Sequence, residues 1–309
     1  MKDISTTEDI DLRLIFAIIW SGKISIVTSS ILFTIVAFLY AYNLPNVYKA
    51  EVLLSPVHQE TSGFGGLTSQ MGGLASIAGL SLGREPGENK TKLGIEVLKS
   101  RLFFESFSEN NNVLIPLFAA KNWNPESMEL VLDDKIYDQK TQKWVRPASS
   151  FAGRVPSIQE AHKAFLKTLN IIEDKDSGLF RIEIIHVSPV VAKNWVDKLI
   201  IEINENIRKK DVNKAINSID FLKEQISNTQ LTELRSGLYE LIQSQTETIM
   251  LANASPEYLF QTIDPAVVSE QKFGPNRVLI IILGNILGAI LGVLFVFFIQ
   301  YKRKNVSDS

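Results

Sequence analysis

Hydrophobic positions along this chain follow three patterns. Residues 24–44 and 278–299 run for 21 and 22 residues without a charge, close to the ~20 that an α-helix needs to cross about 30 Å of hydrocarbon. Both are expected to span a membrane. Between them, "VYKAEVLLSP" (47–56) and the stretch "IIEDKDSGLFRIEIIHVSP" (171–189) are rich in strand formers. They predict a strand leaving the first span, then a hairpin whose second strand places Phe180, Ile182, Ile184 and His186 on one face.

The third pattern is helical. From Pro189 to Pro256 the chain has no internal proline and a single glycine, Gly237. Val196, Ile200, Ile203, Ile207, Val212, Ile216, Ile219, Leu222 and Ile226 recur at mostly three- or four-residue intervals, followed by Leu231, Leu234, Leu238 and Leu241. This predicts long amphipathic helices over about 190–252, with the cap-type residues of "SNTQ" (227–230) dividing them into a hairpin. An uninterrupted helix over 190–227 would reach about 57 Å, more than a domain of this size covers with its own mass. The stripe at Ile200, Ile203, Ile207, Ile216, Ile219 and Leu222 therefore predicts a partner.

Shorter elements fill the rest. "KLGIEVLKSRLFFESF" (92–107) places Ile95, Leu98, Leu102 and Phe103 at helical spacing and predicts one helix packed on the sheet. Pro156 and Ser157, with Glu160 three residues on, mark another helix start. Residues 121–156 are polar, and Trp144 there reads as a packed cap rather than a sugar platform. Residues 61–83 are glycine-rich and predict a flexible loop with room for one short helix.

Composition narrows the class. Lysine plus arginine number 32 against 34 acidic residues, and there is no cysteine, which argues against a nucleic-acid binder, a disulfide scaffold and a thiol nucleophile. Lys2, Arg13, Lys23, Lys302, Arg303 and Lys304 flank the pair of spans on the outside, against Lys49, Lys272 and Arg277 on the inside. Basic residues stay on the cytoplasmic side. The termini are therefore expected in the cytoplasm and residues 45–277 on the far side, in a bacterium the periplasm. "DLRLIFAIIWSGK" (11–23) predicts a short interfacial helix ending in Trp20 and Lys23.

Candidate chemistry is thin. "GLSLG" (79–83) matches the nucleophile-elbow pattern at Ser81, but the stretch after the first span is too short for the strands that must precede such an elbow. His58, His162 and His186 are single and far apart, and Asp133-Asp134 lies in a polar loop. No phosphate-binding loop motif occurs. The expectation is no enzyme, no cofactor and no metal.

Several stretches together carry a resemblance: "DIDLRLIFAIIWSGK", "YKAEVLLSP", "LKSRLF" (98–103), "GLFRIEIIHVSPVVAKNWV" (178–196), "MLANASPEYLFQTIDPAVVSEQ" (250–271) and the last span. In this order, between two spans, they resemble the bacterial Wzz-type polysaccharide co-polymerases. The resemblance implies an α+β membrane protein with a periplasmic α/β base and a long helical arm. Its parts are a leader over 1–23, spans at 24–44 and 278–299, a periplasmic domain over 45–277 and a tail over 300–309. It implies protomers side by side in a ring, an octamer being one candidate, in the bacterial inner membrane.

The implied role is non-enzymatic control of the chain length of a polysaccharide, the O-antigen of lipopolysaccharide. It would act beside the Wzy-type polymerase on undecaprenyl-diphosphate-linked glycan. The alternative is a membrane adaptor for capsule or exopolysaccharide polymerisation and export, working with a separate tyrosine autokinase; the short tail "QYKRKNVSDS" lacks a tyrosine cluster. By position, the resemblance puts Asp264, Pro265 and Pro275 in the proline-containing segment leading to the second span, with Ser269 and Lys272 where prolines are common in the family.

The last span carries Gly284, Gly288 and Gly292 four residues apart, with Asn285 beside the first. Small residues let helix backbones approach in lipid. The stripe is expected to pack on the serine-bearing side of the first span, on a neighbouring protomer, or on the polymerase.

Overall fold

The computed structural model describes residues 20–57, 86–148 and 153–307. The interfacial leader before Trp20, the glycine-rich stretch with Ser81, and His58 lie outside them. The chain divides into two compact units, Met1–Asn46 with Gly274–Ser309, and Val47–Phe273.

The first unit is a helix pair, α1 (Lys23–Asn43) and the last helix (Arg277–Ser307). Their most apolar windows are only 6% and 11% buried within the molecule. A core helix of a soluble protein would hide such side chains, whereas these leave them facing outward, as lipid-facing spans do. Trp20 and Lys23 stand at the start, with Lys23 Nζ 4.8 Å from the indole centroid, an aromatic and a cation suited to the headgroup layer.

The second unit is built on a four-stranded antiparallel sheet. Its strands are β1 (Tyr48–Pro56), β6 (Leu169–Glu173), β7 (Phe180–His186) and β8 (Phe260–Asp264), in the order β6-β7-β1-β8. Alternation decides the faces: Ala50, Val52 and Leu54 of β1 and Phe180, Ile182, Ile184 and His186 of β7 are buried. The turn between β6 and β7 closes on Asp174 and on Gly178, whose φ of +69° suits a residue without Cβ.

The expected single helix over 92–107 is two helices, α2 (Pro86–Leu98) and α3 (Arg101–Asn111). Ser100 takes an extended conformation, and its Oγ accepts the Phe103 N–H at 3.3 Å. The cap is locally better satisfied than a continuous helix would be. The break rotates the second helix, so Leu102 is 75% exposed while Phe103, Phe104 and Phe107 are buried. Residues 121–156 are not merely a loop: after α4 (Leu114–Ala119) come two small hairpins, β2 (Ala120–Asn124) with β3 (Glu129–Leu132), and β4 (Tyr137–Asp138) with β5 (Lys143–Trp144). Helix α5 (Ile158–Thr168) starts where Ser157 Oγ accepts the Glu160 N–H.

The long helix α6 runs Pro189–Asn228, capped by Ser188 Oγ on Val191 N–H and opened by Pro189 at its first turn. It is followed by α7 (Thr232–Ala254). At 1.5 Å per residue α6 is about 60 Å long. Its N-terminal half packs on β1 and β7 and buries Trp195, Val196, Leu199, Ile200, Ile203 and Ile207 in the core. Farther along, α7 lies against it. Ala215 and Ile226 are buried there, but Ile219 and Leu222 are half-covered and Ile216 is 43% exposed. The expectation that the whole stripe lacks a partner is therefore corrected at Ile200, Ile203 and Ile207, which the base itself covers.

Candidate functional site

The glycine stripe of the last helix faces α1 of the same chain. A Cβ on Gly284 would lie 2.4 Å from Ala37 Cβ, one on Gly288 2.7 Å from Phe33 Cβ and 2.9 Å from Ser30 Cα, and one on Gly292 2.8 Å from Ile26 Cα. No side chain fits at these separations, so glycine sets the distance between the helices. Polar groups close the contact: Ser29 Oγ donates to the Gly288 carbonyl at 2.9 Å, Ser30 Oγ to the Asn285 carbonyl at 3.2 Å, and Asn285 Nδ2 to Thr34 Oγ1 at 3.0 Å. At the opposite end of the pair Arg277 donates to the carbonyls of Ala41 and Leu44, at 3.1 and 3.2 Å, satisfying acceptors that end α1.

In the second unit the return from α7 to β8 is pinned on α6 by one buried amide. Asn204 Oδ1 accepts the N–H groups of Leu259 and Phe260 at 2.7 and 2.9 Å, and its Nδ2 donates to the Phe260 carbonyl at 3.0 Å. Nearby, Tyr258 Oη donates to Asp211 at 2.8 Å, and Lys90 Nζ pairs with the same carboxylate at 2.7 Å while standing 4.0 Å from the Tyr258 ring. Gly94 lets α2 approach Leu259, where a Cβ would be 2.2 Å from Leu259 Cδ2. Together these contacts fix the root of the α6–α7 hairpin. Periodicity does not reveal Asn204, because it sits between Ile203 and Ile207 as one polar residue on the buried face; that position was the only available signal.

Asp264 ends β8 opposite Leu53, and Pro265 follows it, exposed. Pro275 is half-buried behind a cis Gly274–Pro275 bond.

Several titratable groups of the base sit in structural contacts. Burial would raise the Glu183 carboxyl, but hydrogen bonds from Lys49 (2.9 Å) and Asn170 (3.0 Å) outweigh it and hold it below the ordinary carboxylate value. The two-pronged hydrogen bond from Arg146 to Glu160, 2.6 and 2.7 Å, lowers the Glu160 carboxyl and raises the Arg146 guanidinium. Glu160 is thus drawn to Arg146 rather than back to Ser157 as in a capping box. His162 Nε2 donates to the Lys99 carbonyl at 2.8 Å, beside the Phe104 ring. His186 lies against Trp195 with Nδ1 accepting the Ser188 N–H and Nε2 on the Pro116 carbonyl, both 3.0 Å. Asp133 caps a turn through the Lys135 N–H. Among the described residues no three His, Asp or Glu side chains gather as metal ligands.

Fold and contacts define a two-span α+β membrane protein whose spans pack through glycine and whose intervening domain carries a long helical hairpin. Residues 8–110 match the family model described as "Wzz: Chain length determinant protein". The matched stretch runs from before the first span to Asn110, near the end of α3. No curated protein matches. Among solved structures, a "full-length bacterial polysaccharide co-polymerase" is similar at 13% identity, covering 96% of this chain and 98% of that one, with a TM-score of 0.37. A fragment of WzzB, a polysaccharide co-polymerase from Salmonella Typhimurium, is similar at 9% identity, covering 74% and 100%, with a TM-score of 0.28.

Proposed function

We propose that this protein is a non-enzymatic scaffold that sets the chain length of a surface polysaccharide, the O-antigen of lipopolysaccharide. Several copies stand side by side in the bacterial inner membrane, with both termini in the cytoplasm and residues 45–277 in the periplasm. They hold a Wzy-type polymerase and its undecaprenyl-diphosphate-linked glycan for a limited number of additions. The observation that carries this reading is the chain-length-determinant match over 8–110. It is supported by the exposed apolar residues Phe221, Leu231 and Leu234 of the α6–α7 hairpin, which isolated subunits would leave in water.

Gene deletion with gel separation of the cell's lipopolysaccharide and capsule tests it. A changed O-antigen length distribution with unchanged capsule is the expected result. An unchanged distribution would remove the reading, and a defect confined to capsule would favour an export adaptor.

A further inference from the structure

One groove of the base serves no contact described so far. A cavity of about 360 Å³ opens between α3, the start of α4 and the second small hairpin. Its apolar wall is Trp144, Leu114, Ile115, Pro156 and Ile158, and its polar edge is Glu105, Ser108, Glu109 and Asn112. Trp144 packs against Tyr137 and Phe118, at ring separations of 5.3 and 6.4 Å with both pairs steeply inclined. Arg146 pins Phe118 in turn, with its guanidinium carbon 5.5 Å from the ring. The indole is packed, as expected of a cap, and it also lines the cavity.

The two carboxylates need a different explanation. Glu105 and Glu109 are one helical turn apart on α3; among the described residues neither makes an ion pair, and Arg101, one turn before Glu105, lines a neighbouring groove with it. Like charges at this spacing disfavour a helix by about 0.2–0.5 kcal/mol. Their repulsion does not favour the helix, and both line, together with Trp144, a cavity of ligand size. An aromatic face opposite hydrogen-bond acceptors suits a ring that is apolar on one side and hydroxylated at its rim. The two negative charges repel phosphate and carboxylate.

We propose that this groove binds an uncharged sugar segment of the growing glycan, with Trp144 against a sugar face and Glu105, Glu109 and Asn112 taking its hydroxyl and amide groups. This rests on the scaffold reading, which supplies a glycan as client, and it adds a direct contact on each subunit.

The test uses full-length protein in nanodiscs and saturation-transfer NMR. The probes are neutral oligosaccharides released from the strain's own surface polysaccharide, a polyuronate of matched length, and a lysine-arginine peptide. The wild type is expected to bind the neutral oligosaccharide. Glu105→Gln with Glu109→Gln should weaken that binding at least fivefold without lowering the melting midpoint, because it removes a repulsion. Trp144→Ala should weaken it similarly. No oligosaccharide binding, binding unchanged in the double glutamine variant, or preference for the polyuronate or the peptide would overturn the inference. Groove variants with wild-type binding and wild-type glycan lengths, in a strain where deletion does alter lengths, would remove this inference and leave the scaffold reading standing.

Discussion

Asn204 is a single amide that satisfies three backbone groups at the root of the hairpin. Asn204→Leu keeps the size and strands those groups in a buried site, so it should destabilise the protein by about 2–5 kcal/mol, read as a shift in chemical unfolding in detergent. His186 tests burial differently. Desolvation pushes its imidazole below the ordinary value, and the backbone contacts at Pro116 and Ser188 only partly offset this. The unfolded chain binds the proton more readily, so the neutral ring's contribution is complete above about pH 6.5 and falls as the pH drops below it. The melting midpoint should decline between pH 7 and 5.5, and less so in His186→Gln. A parallel decline in both would place the titration elsewhere. In the membrane pair, Gly288→Leu drives a side chain into Phe33 and Ser30. Since the chain lacks cysteine, a Thr34→Cys/Asn285→Cys pair can report the contact. The cross-link should form in the otherwise wild-type chain and be lost with Gly288→Leu.

At the scale of elements, the sequence was most legible where one periodicity held over many residues. Both spans, β1, the β6–β7 hairpin and the long helix follow from runs of apolar positions whose period matches their burial. The reading failed at Ser100, where one side-chain cap outweighs a helical pattern, and over 121–156, where short strands of two to five residues carry too few positions to show a period. It missed Asn204 and the Lys49–Glu183–Asn170 contact because both join residues far apart in sequence. The α6 stripe read as uniform, although the sheet covers only its first half. Two substitutions separate the halves: Ile203→Ala should cost about 2–5 kcal/mol, whereas Phe221→Asp with Leu234→Asp should change subunit stability by only about 0.5 kcal/mol. The second pair should instead weaken association between copies, seen as a smaller particle by mass photometry.

At the scale of the whole molecule, the two units answer different solvents. The helix pair is cross-linked by glycine contacts and a few hydrogen bonds, and turns its remaining surface to lipid. The α/β unit has its own hydrophobic core, and extends a hairpin whose outer half that core does not cover. The exposed apolar residues of the arm support the proposed multi-copy scaffold. Particle mass in nanodiscs at low protein concentration tests this most directly. The account predicts assemblies of several 34.6 kDa chains that dissociate when Phe221 and Leu234 become aspartate. A single chain per particle, with wild type and variant alike, would contradict it.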